Sequence, residues 1–256
     1  MNTRTCTTLA LGAVVTLALS ACGTGPGRPD AETRTLTVYA AASLTETFDQ
    51  VAEEFEAEND DVTVRLSFAG SSDLVAQLRS GAPADVFAAA DEETMARAVD
   101  DGLVEGDPAV FATNVLQIAT PPDNPADVES LADLARTDVQ VVLCAPAVPC
   151  GSAADRVQAA AGLAIAPVSE EQAVTDVLGK VISGEADAGL VYATDVIGAG
   201  DAVLGIEFAE SDAAVNAYPI GALVDSDESE LAAEFVTFVL GEQGQQVLTA
   251  AGFGPP

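Results

Sequence analysis

Two segments constrain the fold of this chain more than anything else in it: Val38-Tyr39-Ala40-Ala41-Ala42-Ser43-Leu44 and Ser67-Phe68-Ala69-Gly70-Ser71-Ser72-Asp73. Each runs from an apolar β-type stretch into tiny residues, and then to a serine where a helical period begins. A strand feeding straight into a helix, twice in succession, calls for βαβ units and a parallel sheet with right-handed crossovers. A serine at such a junction also brings a hydroxyl and its own N–H beside the unpaired N–H groups of the first helical turn. Two such junctions facing one another form a nest of donors with no formal charge, suited to a small ionised oxyanion.

The alternation continues along the chain. Residues 35–41 read as a strand and 44–58 as a helix, with Leu44, Phe48, Val51 and Phe55 on one face. A strand over 62–68 and a helix over 72–79 follow, then the turn Gly81-Ala82-Pro83-Ala84-Asp85 into a strand over 86–90. Asp91 is placed to cap a helix over 92–100, with Gly102 closing it. A strand over 111–119 stops at Pro121-Pro122-Asp123-Asn124-Pro125. The second set comprises helices over 131–136, 152–161 and 169–182 and strands over 139–143, 188–192, 203–208 and 215–223. Helices over 228–240 and 242–250 end the chain. This pattern predicts an α/β fold of two lobes, each a mainly parallel sheet flanked by helices, joined by crossover strands over 111–119 and 215–223. Lobe 1 takes residues 35–113 and 214–256, and lobe 2 takes 114–213. Ligands of open α/β sheets sit at the carboxyl ends of strands, where Ser43 and Ser71 fall.

Composition narrows the chemistry. The 256 residues are 49% hydrophobic but only 5% aromatic, without Trp, so Ala, Val, Leu and Ile must build the core. The net charge of −32, from 41 acidic and 9 basic residues, argues against nucleic acid or an anionic membrane surface as a partner. It reads as a solvated acidic surface, or as adaptation to a salty medium that screens the repulsion. There is no histidine, which removes the usual general base, the commonest metal ligand and every His-dependent triad. Lysine occurs once, at Lys180. No enzyme activity, cofactor or metal cation is expected; a hydrolase using Ser43 or Ser71 would have an unactivated nucleophile.

The first residues carry an address. Arg4 precedes an apolar run from Leu9 to Leu19, too short to span a bilayer as a stable helix. The run ends in Leu19-Ser20-Ala21-Cys22, which resembles the lipobox of bacterial lipoproteins. That resemblance makes residues 1–21 a signal peptide and Cys22 the lipidated N-terminus; ordinary signal cleavage is the alternative. Residues 22–34, rich in Gly, Pro and Thr, then form a flexible tether. With Cys6 removed and Cys22 lipidated, Cys144 and Cys150 remain in an oxidising setting, where a disulfide closing a small loop is expected. A metal or redox pair is the weaker alternative, since no further Cys or His accompanies Cys-x5-Cys.

Five motifs stand in an order that resembles molybdate-binding proteins of bacterial ABC importers. They are Ala40-Ala41-Ala42-Ser43-Leu44, Phe68-Ala69-Gly70-Ser71-Ser72, Gly81-Ala82-Pro83-Ala84-Asp85-Val86-Phe87, Gly189-Leu190-Val191-Tyr192 and Ala217-Tyr218-Pro219. The resemblance implies a two-lobed periplasmic-type fold with the oxyanion, molybdate or tungstate, in the cleft. It implies donors from the hydroxyls and N–H groups of Ser43 and Ser71, from the backbone N–H groups of Cys150 and Val174, and from the Tyr192 hydroxyl. Cys150 departs from relatives that carry another small residue there, but a backbone donor does not depend on its side chain. The implied partners are an ABC-importer permease with its ATPase. The implied protein is an extracytoplasmic monomer that meets the membrane only through lipidated Cys22. Molybdate is doubly charged and unprotonated at neutral pH, so its site should offer donors only. The motifs hold no basic residue, and Asp73 is expected to point away from the anion. Rival readings are a same-fold site that prefers tungstate or takes sulfate or phosphate, a serine hydrolase, and a structural lipoprotein.

Overall fold

The computed structural model describes residues 33–256. The expected signal peptide, Cys6, the expected lipidation site Cys22 and nearly all of the expected tether lie outside the described residues. The first half of the chain follows the expected alternation. Strand β1 (Arg34–Ala41) leads through a 3-10 turn (Ala42–Leu44) into α1 (Thr45–Glu58). Next come β2 (Val62–Ala69), α2 (Ser71–Arg79), β3 (Val86–Ala88) and α3 (Glu92–Asp100). Asp91 caps α3 by accepting from the Thr94 N–H at 2.8 Å, and Gly102 follows it at φ +72°.

The crossover is where structure departs from expectation. Instead of one strand over 111–119 there are two, β4 (Ala109–Asn114) and β5 (Leu116–Thr120), with Val115 between them. They belong to different sheets, because the apolar run is long enough to serve both cores but must turn between them. A 3-10 turn (Leu131–Ala135) replaces the helix expected over 131–136. Then follow β6 (Val141–Cys144), α4 (Pro149–Ala161), β7 (Ser169–Glu171), α5 (Val174–Ile182), β8 (Ala188–Tyr192), α6 (Ala193–Ala199) and β9 (Leu204–Ile206). The chain returns through β10 (Asn216–Ala222), α7 (Ser229–Leu240) and α8 (Glu242–Ala250). Strand β10 lies wholly in the first sheet, so the second crossing is made before it, at Val215, rather than by the strand expected over 215–223.

Among the helix starts that differ from expectation, three bear on the cleft. Helix α2 starts at Ser71 rather than Ser72, and α4 starts three residues early with Pro149 in its first turn, where a missing N–H costs nothing. The helix expected over 169–182 is a strand followed by a helix. Ser169–Glu171 pairs in parallel with β6 as an edge strand, a tertiary pairing that overrides its weak β-propensity. Helix α6 was not expected; its Thr, Val and Gly are poor helix formers.

Both sheets have five strands, in the orders β2-β1-β3-β10-β4 and β7-β6-β8-β5-β9. In each, one strand returned from the other lobe, β10 or β5, runs antiparallel to its neighbours. The first sheet is covered on one face by α1, α7 and α8 over Val38, Phe48, Phe111 and Phe235, and on the other by α2 and α3 over Leu74, Phe87 and Met95. The second lobe has its own aliphatic core around Ile118, Val141, Val157, Val177 and Leu190. The few aromatics are gathered rather than scattered. Edge-on and tilted contacts run Phe55–Phe235–Phe48–Phe111–Tyr218–Tyr192, linking the first core to the crossover.

Candidate functional site

All five residues singled out from the sequence line one cavity of about 20 Å³ between the two sheets. Ser43 follows β1, Ser71 follows β2, Cys150 follows β6, Val174 follows β7, and Tyr192 is the last residue of β8. Every one therefore lies at or just beyond the carboxyl end of a strand and at the start of a helical turn. Ser71 and Val174 are the first residues of α2 and α5, Cys150 is in the first turn of α4, and Tyr192 caps α6. First-turn N–H groups have no intrahelical acceptor, and the helix dipoles put partial positive charge at the same point. Had Val174 sat inside a helix over 169–182, its N–H would have been bonded within that helix.

The hydroxyls are arranged to donate. Buried Ser71 accepts the Ala90 N–H on its Oγ at 3.1 Å, which leaves its own hydrogen for the cavity. Ser43 Oγ lies 3.1 Å from the Tyr218 hydroxyl. Burial pushes the Tyr192 phenol well above its usual range, so it keeps its proton; desolvation does the same to Tyr218. Asp73 lines a separate cavity with Gln77 and Ser80, though its Oδ2 lies 3.7 Å from where a Cβ on Gly70 would stand. Although the motifs hold no basic residue, two arginines lie close by in the fold. Arg97 Nη2 reaches Ser72 Oγ at 3.3 Å, and the Arg156 guanidinium bonds Asn216 Oδ1; neither arginine lines the small cavity. They are distant in sequence from the motifs, so spacing along the chain did not show them.

The loops that carry the donors are fixed locally. A disulfide joins Cys144 at the end of β6 to Cys150 in α4. Just after that loop, a Cβ on Gly151 would lie 1.8 Å from the Ala145 carbonyl oxygen, so only glycine lets the turn fold back on the helix. On the next strand, Lys180 and Ser169 both bond Glu171, and the ammonium in particular holds that carboxyl below its usual range. The lobes touch across the cleft. Ser72 Oγ donates to the Ala147 carbonyl at 3.1 Å, and Gly70 abuts the carbonyl of Gln172.

A larger groove of about 640 Å³ opens beside the cavity, lined by Ser43, Glu46, Thr175, Asp195, Ile197 and neighbours. Size alone favours it, but its carboxylates repel an anion and it offers fewer helix starts. The small donor cavity is the better candidate site. Buried Asp195 accepts the Tyr192 N–H at 2.8 Å, and desolvation pushes its carboxyl up to about 7, with Glu46 adding to the rise. Among the described residues no group of three or more His, Cys, Asp and Glu side chains could hold a metal ion. Among them, too, no helix is long and apolar enough to cross a membrane. Sequence reasoning missed Asn216, Ala90 and Gln172; only the neighbouring Ala217-Tyr218-Pro219 motif pointed to the first.

The family model for bacterial extracellular solute-binding proteins matches residues 36–254. A molybdate-binding protein of Mycobacterium tuberculosis is 43% identical over 251 residues, covering 96% of each chain. A periplasmic molybdate-binding protein of Azotobacter vinelandii superposes with a TM-score of 0.76 at 23% identity, over 86% of this chain and 99% of that one. The sulfate-binding protein SubI of Mycobacterium tuberculosis superposes at 0.71 with 21% identity, over 87% of each chain. Proteins of one fold thus carry names for different anions, so the fold alone does not choose the solute. With the family model spanning nearly all the described residues, the chain belongs to the bacterial extracellular solute-binding proteins.

Proposed function

We propose that this protein captures molybdate, and also tungstate, in the cleft and delivers it to an ABC-importer permease driven by its ATPase. The carrying observation is the convergence of Ser43, Ser71, Cys150, Val174 and Tyr192 on one uncharged cavity. The cavity, about 20 Å³ in volume, is lined by no charged side chain. The 43% identity to a molybdate-binding protein favours that anion over others. Four backbone N–H groups and three hydroxyls supply donors without a counter-charge, which suits an ion whose every oxygen accepts. The lobes, 35–113 with 214–256 and 114–213, close about the crossovers near Val115 and Val215, and the anion stabilises the closed form. No reaction is catalysed. The protein works as an extracytoplasmic monomer, held to the membrane by a lipid on Cys22.

Calorimetric titration against molybdate, tungstate, sulfate and phosphate tests the assignment. Molybdate and tungstate should bind tightly and alike, and sulfate, with shorter bonds, weakly. Tight sulfate or phosphate with weak molybdate would overturn it. Ser43→Ala and Ser71→Ala should each cost about 1–3 kcal/mol of binding, because a buried anion oxygen loses its donor. Unchanged affinity in both would show that the ligand lies elsewhere.

A further inference from the structure

Asn216, the first residue of β10, is 1% exposed and stands where the chain re-enters the first lobe. Its amide makes three side-chain contacts. The Nδ2 group donates to the Ala90 carbonyl at 2.9 Å and to the Tyr192 hydroxyl oxygen at 2.8 Å, while Oδ1 accepts from Arg156 Nη2. Chemistry fixes which way this amide points. A carbonyl oxygen can only accept and a guanidinium can only donate, so the nitrogen must face Ala90 and the oxygen must face Arg156. An amide nitrogen has no lone pair to offer, so Tyr192 must be the acceptor in its bond to Asn216. The single phenol hydrogen is then left to point elsewhere. The cavity is one destination, and the Tyr218 hydroxyl, already engaged with Ser43, is the other. A doubly charged oxygen is a far stronger acceptor than a phenol and takes it.

Resting on the anion-site reading above, we infer that Asn216, pinned by Arg156, is a positioning residue that makes Tyr192 a donor to the bound oxyanion. The same amide ties lobe 1, through Ala90, to lobe 2, through Tyr192 and Arg156. The set is therefore complete only when the lobes are together, and closing the cleft also sets the direction of the Tyr192 hydrogen. Arg156 contributes its charge through this relay without entering the cavity, and adds no group that a protonated anion could prefer.

A double-mutant cycle read by molybdate calorimetry tests this. Asn216→Leu removes the donor that occupies the Tyr192 oxygen and leaves the phenol hydrogen free to turn from the cavity toward the Ala90 carbonyl, without adding a charge. Affinity should fall about tenfold or more in the Tyr192 protein, yet less than about twofold further in a Tyr192→Phe background. A merely structural role for Asn216 gives equal losses in both backgrounds, and that result, or an unchanged affinity, would overturn the inference. Thermal unfolding of the ligand-free variants shows whether they fold. If Asn216→Leu does not, Arg156→Met carries the test, since Arg156 is exposed and its loss frees the amide to rotate. It should weaken molybdate binding several-fold with the same dependence on Tyr192, and no loss, or an additive one, refutes the relay. Absence of molybdate binding in the unaltered protein would instead sink the anion reading together with this step.

Discussion

Gly70→Ala should weaken anion binding without touching a single donor. Gly70 has φ −56° and ψ 135°, which any L-residue adopts, so the substitution brings no backbone strain. A Cβ there would nevertheless lie 2.3 Å from the carbonyl oxygen of Gln172, on the opposite lobe. Carbon and oxygen settle no closer than about 3.3 Å, so the lobes must part by about 1 Å at this point. Donors at about 2.9 Å from an anion oxygen would then be stretched beyond useful range for one lobe's share of the site. The protein will instead compress part of the way, at the usual overpacking cost of about 1–3 kcal/mol, which corresponds to a loss of about 5- to 150-fold in affinity. Calorimetry with molybdate measures it. Gly70 is also the N-cap of α2, and alanine is a poorer cap, so a second variant separates the causes. Gly70→Ser restores capping but keeps the Cβ. If capping were responsible, the serine variant would bind like the parent; if closure is, it binds as poorly as the alanine variant. Affinity within about twofold of the parent in both variants would refute the claim that the lobes must meet at Gly70.

Asp195 predicts a pH signature. Its carboxyl is raised from 3.8 to about 7 in the fold, so the folded protein holds this proton more tightly than the unfolded chain. That contribution is complete below pH 4 and is lost as pH climbs through 7, by roughly 4 kcal/mol in all. Asp195→Asn should therefore be more stable than the parent at pH 8 and no better at pH 4, as read by urea unfolding; parallel pH profiles would contradict this. Reducing the Cys144–Cys150 bridge should cost only about 2 kcal/mol of stability, since the loop is short. It should weaken binding as well, by loosening the turn that carries the Cys150 N–H and the Ala147 contact; calorimetry with and without reductant decides. Cys22→Ala should release the protein from the membrane fraction with its anion affinity unaltered, and retention there would count against the lipid anchor.

Local chemistry made some of this legible in the chain itself. The apolar runs, the serines after β1 and β2, and the Asp91 cap are decided within a few residues, and their order was enough to suggest a two-lobed anion binder. The five expected site residues do converge on one cavity. Elements settled by partners distant in sequence were not legible. Ser169-Glu170-Glu171 has no strand signal of its own and becomes β7 because β6 offers it an edge. That pairing moves the helix start to Val174 and frees its N–H. The run around Val115 is one apolar stretch by composition, and only the existence of two sheets divides it.

The serine junctions and the absence of histidine therefore carried the expectation of uncharged donors for an ionised solute. Which way each hydroxyl points is a different matter. Ser71 is committed by the Ala90 N–H, and Tyr192 by an asparagine pinned from behind by Arg156. Those partners lie 19 to 60 residues apart in the chain and belong to both lobes. A hydrogen bond acts over about 3 Å in space whatever the sequence separation, so only the tertiary structure could decide it.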